Sequence, residues 1–144
     1  MNDYKRFQER NNIVKVAVAG ASGRMGQTII SHLLSSKTLE LVAAFDHPKS
    51  DMIGADAGLY LGKLSGITVI SDLVHLASSD ANVLIDFSLP ESTMNLLKFC
   101  DDLSMPVVIG TTGFSKEEKT EITIFGKKNG VVFSPNMSIG VNIT

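Results

Sequence analysis

A lone cysteine, Cys100, excludes an internal disulfide and fits a reducing compartment. Its place in the apolar pattern Met94-Asn95-Leu96-Leu97-Lys98-Phe99-Cys100 predicts a buried packing residue on a helix and not a nucleophile. Positive charge is also scarce. Lysine and arginine total 13 against 15 acidic residues, a formal net charge of −2, and the basic residues are scattered, so no basic field exists to draw in DNA or RNA. No apolar run reaches the roughly eighteen residues that cross a bilayer. The head, Met1 to Asn12, is polar and unlike a signal peptide, so the expectation is a cytoplasmic protein with no membrane partner. Repeats and low-complexity tracts are missing too. What remains, 144 residues of which 44% are hydrophobic and 19% charged, suits one soluble domain able to bury a core.

The most informative stretch is Val14-Lys15-Val16-Ala17-Val18-Ala19-Gly20-Ala21-Ser22-Gly23-Arg24-Met25-Gly26. An apolar strand runs into three glycines spaced three apart and then into a helical pattern. A helix N-terminus carries unpartnered N–H groups and a partial positive charge, so it holds an anionic diphosphate. Gly20 is assigned to the tight turn, Gly23 to close approach of the backbone to phosphate, and Gly26 to close helix–strand packing. The G-x-x-G-x-x-G spacing departs from the commoner G-x-G-x-x-G. Its context strengthens it: Asp46, which ends Leu41-Val42-Ala43-Ala44-Phe45, lies where an acidic residue meets an adenosine ribose.

Short apolar runs alternate with helical segments, the pattern of a parallel sheet with helical crossovers. Strands are predicted at Ile13 to Ala19, Leu41 to Asp46, Thr68 to Ile70, Val83 to Phe87, Val107 to Gly110 and Val131 to Ser134. Helices are predicted at Met25 to Leu34, with Met25, Ile29, Ile30, Leu33 and Leu34 on one apolar face, and at Lys116 to Lys128, with Ile122 and Phe125 inward. The fold class is therefore α/β, a Rossmann-like, doubly wound, mainly parallel sheet with helices on both faces. Asp51 to Ser65 is glycine-rich, without periodicity, and reads as a loop. Ligands of such sheets sit outside the carboxyl ends of the strands, where strand order reverses. There the sequence places Asp46-His47, Phe87-Ser88-Leu89-Pro90, Gly110-Thr111-Thr112-Gly113-Phe114 and Ser134-Pro135-Asn136-Met137. Ser88 and Ser115 are also well placed as helix N-caps, with Pro90 and Lys116 following.

Four segments together, Val18-Ala19-Gly20-Ala21-Ser22-Gly23-Arg24-Met25-Gly26, Ile85-Asp86-Phe87-Ser88-Leu89-Pro90-Glu91, Val108-Ile109-Gly110-Thr111-Thr112-Gly113-Phe114 and Asn136-Met137-Ser138-Ile139-Gly140-Val141-Asn142, resemble the 4-hydroxy-tetrahydrodipicolinate reductases, the dihydrodipicolinate reductases of lysine and diaminopimelate biosynthesis. The resemblance covers nearly everything from Ile13 to Thr144. It implies hydride transfer from NADH or NADPH to a cyclic imine-type intermediate. By the same resemblance, Gly20, Ala21, Ser22, Gly23, Arg24 and Met25 would hold the pyrophosphate, and Asp46 with His47 the adenosine ribose. Gly110, Thr111 and Thr112, with Ser134, Pro135, Asn136 and Met137, would line the nicotinamide end and orient its carboxamide.

The family continues into a second, substrate-binding domain with paired histidines followed by a lysine. No such motif occurs here: His32, His47 and His75 are isolated, and His32 and His75 read as surface residues. The expected organisation is a polar extension at 1–12 and a dinucleotide-binding domain at 13–144, with no catalytic residue and no metal ligand in these residues and a homotetramer for the full-length protein. Two other readings share the fold. A dinucleotide-sensing module without catalysis would need an interaction surface, and no exposed apolar stripe is evident. A semialdehyde dehydrogenase would need a reactive cysteine at a strand end, and Cys100 is not at one.

Cofactor choice turns on Asp46 and His47. A carboxylate accepts from a ribose 2′-OH and repels a 2′-phosphate, whereas the family often carries a permanently charged arginine where this chain has His47. Arg24 and Lys49 supply further positive charge nearby in sequence. Dual use of NADH and NADPH is expected, with NADH at least competitive. Titrating both nucleotides against the chain checks this, and binding of NADPH far tighter than NADH would overturn it.

Overall fold

The computed structural model describes residues 12–133. Six parallel strands form one sheet: β1 (Val14–Ala19), β2 (Leu39–Phe45), β3 (Val69–Ile70), β4 (Val83–Asp86), β5 (Val107–Ile109) and β6 (Val131–Phe133), in the order β3-β2-β1-β4-β5-β6. The crossovers include three α-helices, α1 (Arg24–Ser35), α2 (Pro90–Asp102) and α3 (Lys116–Asn129). This is the doubly wound α/β sheet expected, and every ladder between named strands is parallel. Predicted elements are recovered with shifts of one or two residues at their ends. β2 begins at Leu39, and Asp46, Phe87 and Gly110 fall just past their strands, leaving the sheet edge irregular where ligand is expected.

Side-chain alternation along β1 explains why both faces are covered. Val16 and Val18 point into a core with Ile30 and Leu33 of α1, Leu41, Ala44, Met52 and Val69. Ala17 and Ala19 point into the other, with Leu84, Leu96, Leu97, Cys100, Ile109, Ile122 and Phe125 beneath α2 and α3. A central strand has no solvent face, so its sequence reads as a continuous apolar run. Ile122 and Phe125 are buried on α3 as expected. Met25 departs from expectation: it is 44% exposed, while the next residue, Gly26, is the one buried in the first turn of α1.

Helix starts were legible in part. Ser115 caps α3 in a full capping box, its Oγ accepting from the Glu118 N–H at 3.1 Å while Glu118 Oε1 accepts from the Ser115 N–H at 2.8 Å. Ser88 does not cap α2. The N-cap is Leu89, without a side-chain bond, and Ser88 Oγ instead donates to Asp86 Oδ1 at 2.5 Å. The physical reason is competition between acceptors' needs: a buried carboxylate without donors is far costlier than a helix start whose Pro90 already lacks an N–H.

The segment from Asp51 to Ser65 is a loop, as predicted, broken by a 3-10 turn at Leu59–Leu61. Asp56 organises it. Its Oδ1 accepts from the Gly58 N–H at 2.8 Å, the Ser65 N–H at 2.9 Å and the Ser65 hydroxyl at 2.8 Å, and its Oδ2 from the Gly66 N–H at 2.8 Å. Gln27 on α1 fastens the same loop, donating to the carbonyls of Ala21 and Ala57 at 2.7 and 3.3 Å. The donors around Asp56, led by the Ser65 amide, hold its carboxyl down at about 2.

Because the folded state favours charged Asp56, its contribution is complete above the ordinary carboxyl range and is lost as pH falls towards 2. Asp56→Asn should therefore lower the urea midpoint at pH 6, and the gap to the parent should narrow between pH 4 and pH 2, the interval bounded by about 3.9 for a free carboxyl. Urea titrations followed by circular dichroism at several pH values measure it.

Candidate functional site

The glycine turn is built on backbone crowding. Gly20 has φ +80°, and a Cβ there would lie 2.6 Å from the Phe87 carbonyl oxygen, so a side chain is excluded twice over. At Gly26 a Cβ would fall 2.0 Å from the Gly20 carbonyl oxygen, which lets α1 seat against the turn that precedes it. Gly23 differs. Its φ is −72° and a Cβ would meet only the Gly20 carbonyl oxygen, at an ordinary 3.5 Å, so nothing in the fold itself demands glycine there. Gly23 is the N-cap of α1, without a side-chain cap bond.

The amides of the turn divide into two sets. The Gly20 and Ala21 N–H groups both donate to the Phe45 carbonyl, at 3.0 and 3.1 Å, Gly23 donates to the Gly20 carbonyl at 3.1 Å, and Ser22 donates to Asp46 Oδ2 at 2.7 Å. The N–H groups of Arg24, Met25 and Gly26, the first three of α1, have no partner among the described residues. Arg24, Met25 and Gly26 thus present the N–H donors of this turn and helix start that have no partner among the described residues. Arg24, exposed beside them, adds a cationic side chain.

A cleft of about 380 Å³ opens here, outside the carboxyl ends of β1 and β4, the pair at which strand order reverses. Gly20, Ser22 and Gly23 form one wall, Asp46 and His47 the end beyond β2, and Phe87, Ser88 and Leu89 the opposite wall. The structure thus brings together residues the sequence proposed from three separate segments. It adds Ser71, Leu73, Ser92 and Asn95, which the sequence reading missed. Ser71 follows β3 directly, a signal of the kind used for the other strand ends; Ser92 and Asn95 lie on α2 and carried no such signal. A second cavity of about 530 Å³ continues from Ser22, Asp46 and His47 to Lys49, Ser50 and Tyr60. His47 Nδ1 accepts from the Lys49 N–H at 3.1 Å.

Beneath the cleft floor sits Asp86, wholly buried. Oδ1 accepts from the Ser88 N–H at 2.9 Å and from the Ser88 hydroxyl, and Oδ2 accepts from the Thr93 hydroxyl. Thr111 Oγ1 lies 3.3 Å from Oδ2 and 3.1 Å from the Ser88 carbonyl oxygen, sharing its proton between them. One carboxylate thereby joins the ends of β4 and β5 to the first turn of α2. Gly110 fits this arrangement because the Phe87 ring packs on it: a Cβ at Gly110 would lie 2.0 Å from that ring. Of the residues expected at the second end of the cleft, Thr111 is buried with its hydroxyl committed, Thr112 is exposed, and Ser134, Pro135, Asn136 and Met137 lie outside the described residues.

The Cys100 thiol is unsuited to nucleophilic chemistry. Burial, and then the nearby Asp86 charge, push the Cys100 thiol up to about 12, so it stays protonated. His32 and His75 are exposed, as expected, and among the described residues no group of three or more histidine, cysteine, aspartate or glutamate side chains could hold a metal ion. Among them, too, no helix is long and apolar enough to cross a membrane.

Comparison with known proteins matches these features to one family. The model of "Dihydrodipicolinate reductase, N-terminus" matches residues 14–137. A 4-hydroxy-tetrahydrodipicolinate reductase of Ralstonia pickettii is 49% identical over 131 residues, which is 91% of this chain and 49% of the relative. That of Bordetella pertussis is 45% identical over 130 residues, 90% of this chain and 48% of the relative. Among solved structures, the dipicolinate-bound dihydrodipicolinate reductase of Paenisporosarcina sp. TG-14 superposes with a TM-score of 0.70 at 26% identity, covering 89% of this chain and 49% of that one. The chain spans about half the length of the curated relatives it matches. On that family match and that identity, the chain belongs to the dihydrodipicolinate reductase family and corresponds to its N-terminal domain.

Proposed function

We propose that this chain holds the reduced dinucleotide for a 4-hydroxy-tetrahydrodipicolinate reductase, presenting NADH or NADPH to a dihydrodipicolinate-type substrate in lysine and diaminopimelate biosynthesis. The observation that carries the reading is a helix start whose first three amides, at Arg24, Met25 and Gly26, have no partner among the described residues, preceded by a turn whose Gly20, Ser22 and Gly23 line a cleft with the Asp46 carboxylate. The pyrophosphate sits against those amides, where the helix dipole and the N–H groups act together. Gly23 leaves the phosphate oxygens room to approach. Asp46 accepts from a ribose hydroxyl and His47 flanks it.

The nicotinamide lies beyond Phe87 and Leu89, towards Gly110, Thr111 and Thr112 and towards Ser134, Pro135, Asn136 and Met137. Since the Thr111 hydroxyl is occupied, Thr111 offers the ring its main chain, and Thr112 offers both main chain and hydroxyl. Orientation is the work these residues do; the bound dinucleotide supplies the hydride. Residues 13–144 form this dinucleotide-binding domain, the polar segment 1–12 precedes it, and the groups that bind and protonate substrate belong to a second domain outside these residues. The relatives' greater length supports that division, and the full-length protein is a homotetramer in this reading. The relatives are named as reductases, and no observation favours a sensing module.

Two outcomes are expected. Calorimetry should show the purified 144-residue chain binding NADH and NADPH while spectrophotometry shows no oxidation of either with a dihydrodipicolinate-type substrate. Turnover by this chain would place the catalytic groups within it, and absence of binding by folded protein would remove the proposal. The second outcome separates the glycines. Gly23→Ala should weaken both nucleotides about tenfold, equivalent to about 1.4 kcal/mol, with the unfolding midpoint unchanged. Gly26→Ala should cost about 2 kcal/mol of stability through overpacking, read by urea titration without ligand.

A further inference from the structure

Ser22 is the one residue of the glycine turn whose amide and side chain are both spent on another segment. Its N–H donates to Asp46 Oδ2 at 2.7 Å, and its hydroxyl donates to the same oxygen. Asp46 Oδ1 accepts from the His47 N–H at 2.7 Å. Three donors from two segments, 24 residues apart at Ser22 and Asp46, therefore hold one half-buried carboxylate at the junction of the two cavities. Bonds to an ionised acceptor are roughly twice as strong as neutral ones. Turning Asp46 away would also strand the Ser22 amide.

We propose that Ser22 is a specificity-determining positioning residue, whose clamp on Asp46 sets the preference of this cleft between a ribose 2′-hydroxyl and a ribose 2′-phosphate. The inference rests on the dinucleotide reading above and deepens it. A nucleotide with a free 2′-hydroxyl finds an acceptor already aimed, with an open lone pair on Oδ1, and pays no ordering cost for it. A 2′-phosphate brings negative charge against a carboxylate that cannot swing aside unless both Ser22 bonds break. Lys49, lining the adjoining cavity, offsets part of that repulsion, so the phosphorylated nucleotide is disfavoured and not excluded. The clamp is thus the element that converts an acidic side chain, which rotation could otherwise take out of the way, into a fixed charge.

The test is titration of NADH and NADPH against the parent chain, Ser22→Ala, Ser22→Thr, Asp46→Ala and the Ser22→Ala/Asp46→Ala double variant. Ser22 has no left-handed φ, so alanine is tolerated by the backbone there. Ser22→Ala should move the NADPH-to-NADH affinity ratio about fivefold towards NADPH, the loss expected for one hydrogen bond of about 1 kcal/mol. Ser22→Thr, which keeps the hydroxyl, should retain the parent ratio. In the Asp46→Ala background, Ser22→Ala should leave the ratio unchanged, because no carboxylate remains to be held. An equal change in both affinities, or a ratio shift that persists without Asp46, would overturn the clamp. A parent chain that binds neither nucleotide would instead overturn the dinucleotide reading on which the clamp rests.

Discussion

The whole site depends on one crowded contact, the carbonyl of Gly20 lying where a side chain at Gly26 would be. Because both positions lack a Cβ, α1 starts within a few ångströms of the end of β1, and its first amides open onto the sheet edge. Add a methyl group and the helix must retreat from the turn, taking its donors with it. Close-packed interiors transmit such displacements and do not absorb them. The first amides of any helix lack an intrahelical partner, and the glycine contact fixes where these ones lie.

A second constraint keeps the opposite wall in register. Asp86 is a fully buried carboxylate, and an isolated charge in such a place is untenable. Ser88, Thr93 and Thr111 satisfy it, and in doing so bind the strand ends of β4 and β5 to the start of α2. The loss of Ser88 as a helix cap follows from this. The Phe87 ring, packed on Gly110, closes the gap between the two strand ends. Asp46 and Asp86 therefore play different parts despite both ending a parallel strand. One is half-buried with an open lone pair at the cleft, and the other is enclosed and spent on the scaffold.

Much of the fold was legible because parallel strands covered on both faces must be apolar throughout, and because the glycine turn, the capping box at Ser115 and the amphipathic stripe of α3 are local signals. Asp46 was legible for a similar reason: its distance along the chain from the glycine turn reflects the length of one crossover. The tight turn at Gly20 and the close packing at Gly26 were legible too. Which amides are free was not, since Gly20 and Ala21 are satisfied by Phe45 and Ser22 by Asp46, partners supplied by the neighbouring strand. Asp56 went unnoticed because nothing in a glycine-rich loop announces that one carboxylate gathers its turns.

By itself the sequence determined the order of strands and helices, the presence of a helix start open to an anion, and the family to which the motifs belong. These properties reside in short-range steric and apolar patterns, which neighbouring residues decide among themselves. Only the tertiary structure decided that Asp46 is clamped by Ser22 and that Asp86 and Thr111 are enclosed, and only it brought Ser71, Ser92 and Asn95 to the same cleft. Hydrogen-bond partners are chosen by distance in space, and in a parallel sheet the ends that meet at one edge are separated by whole crossovers along the chain.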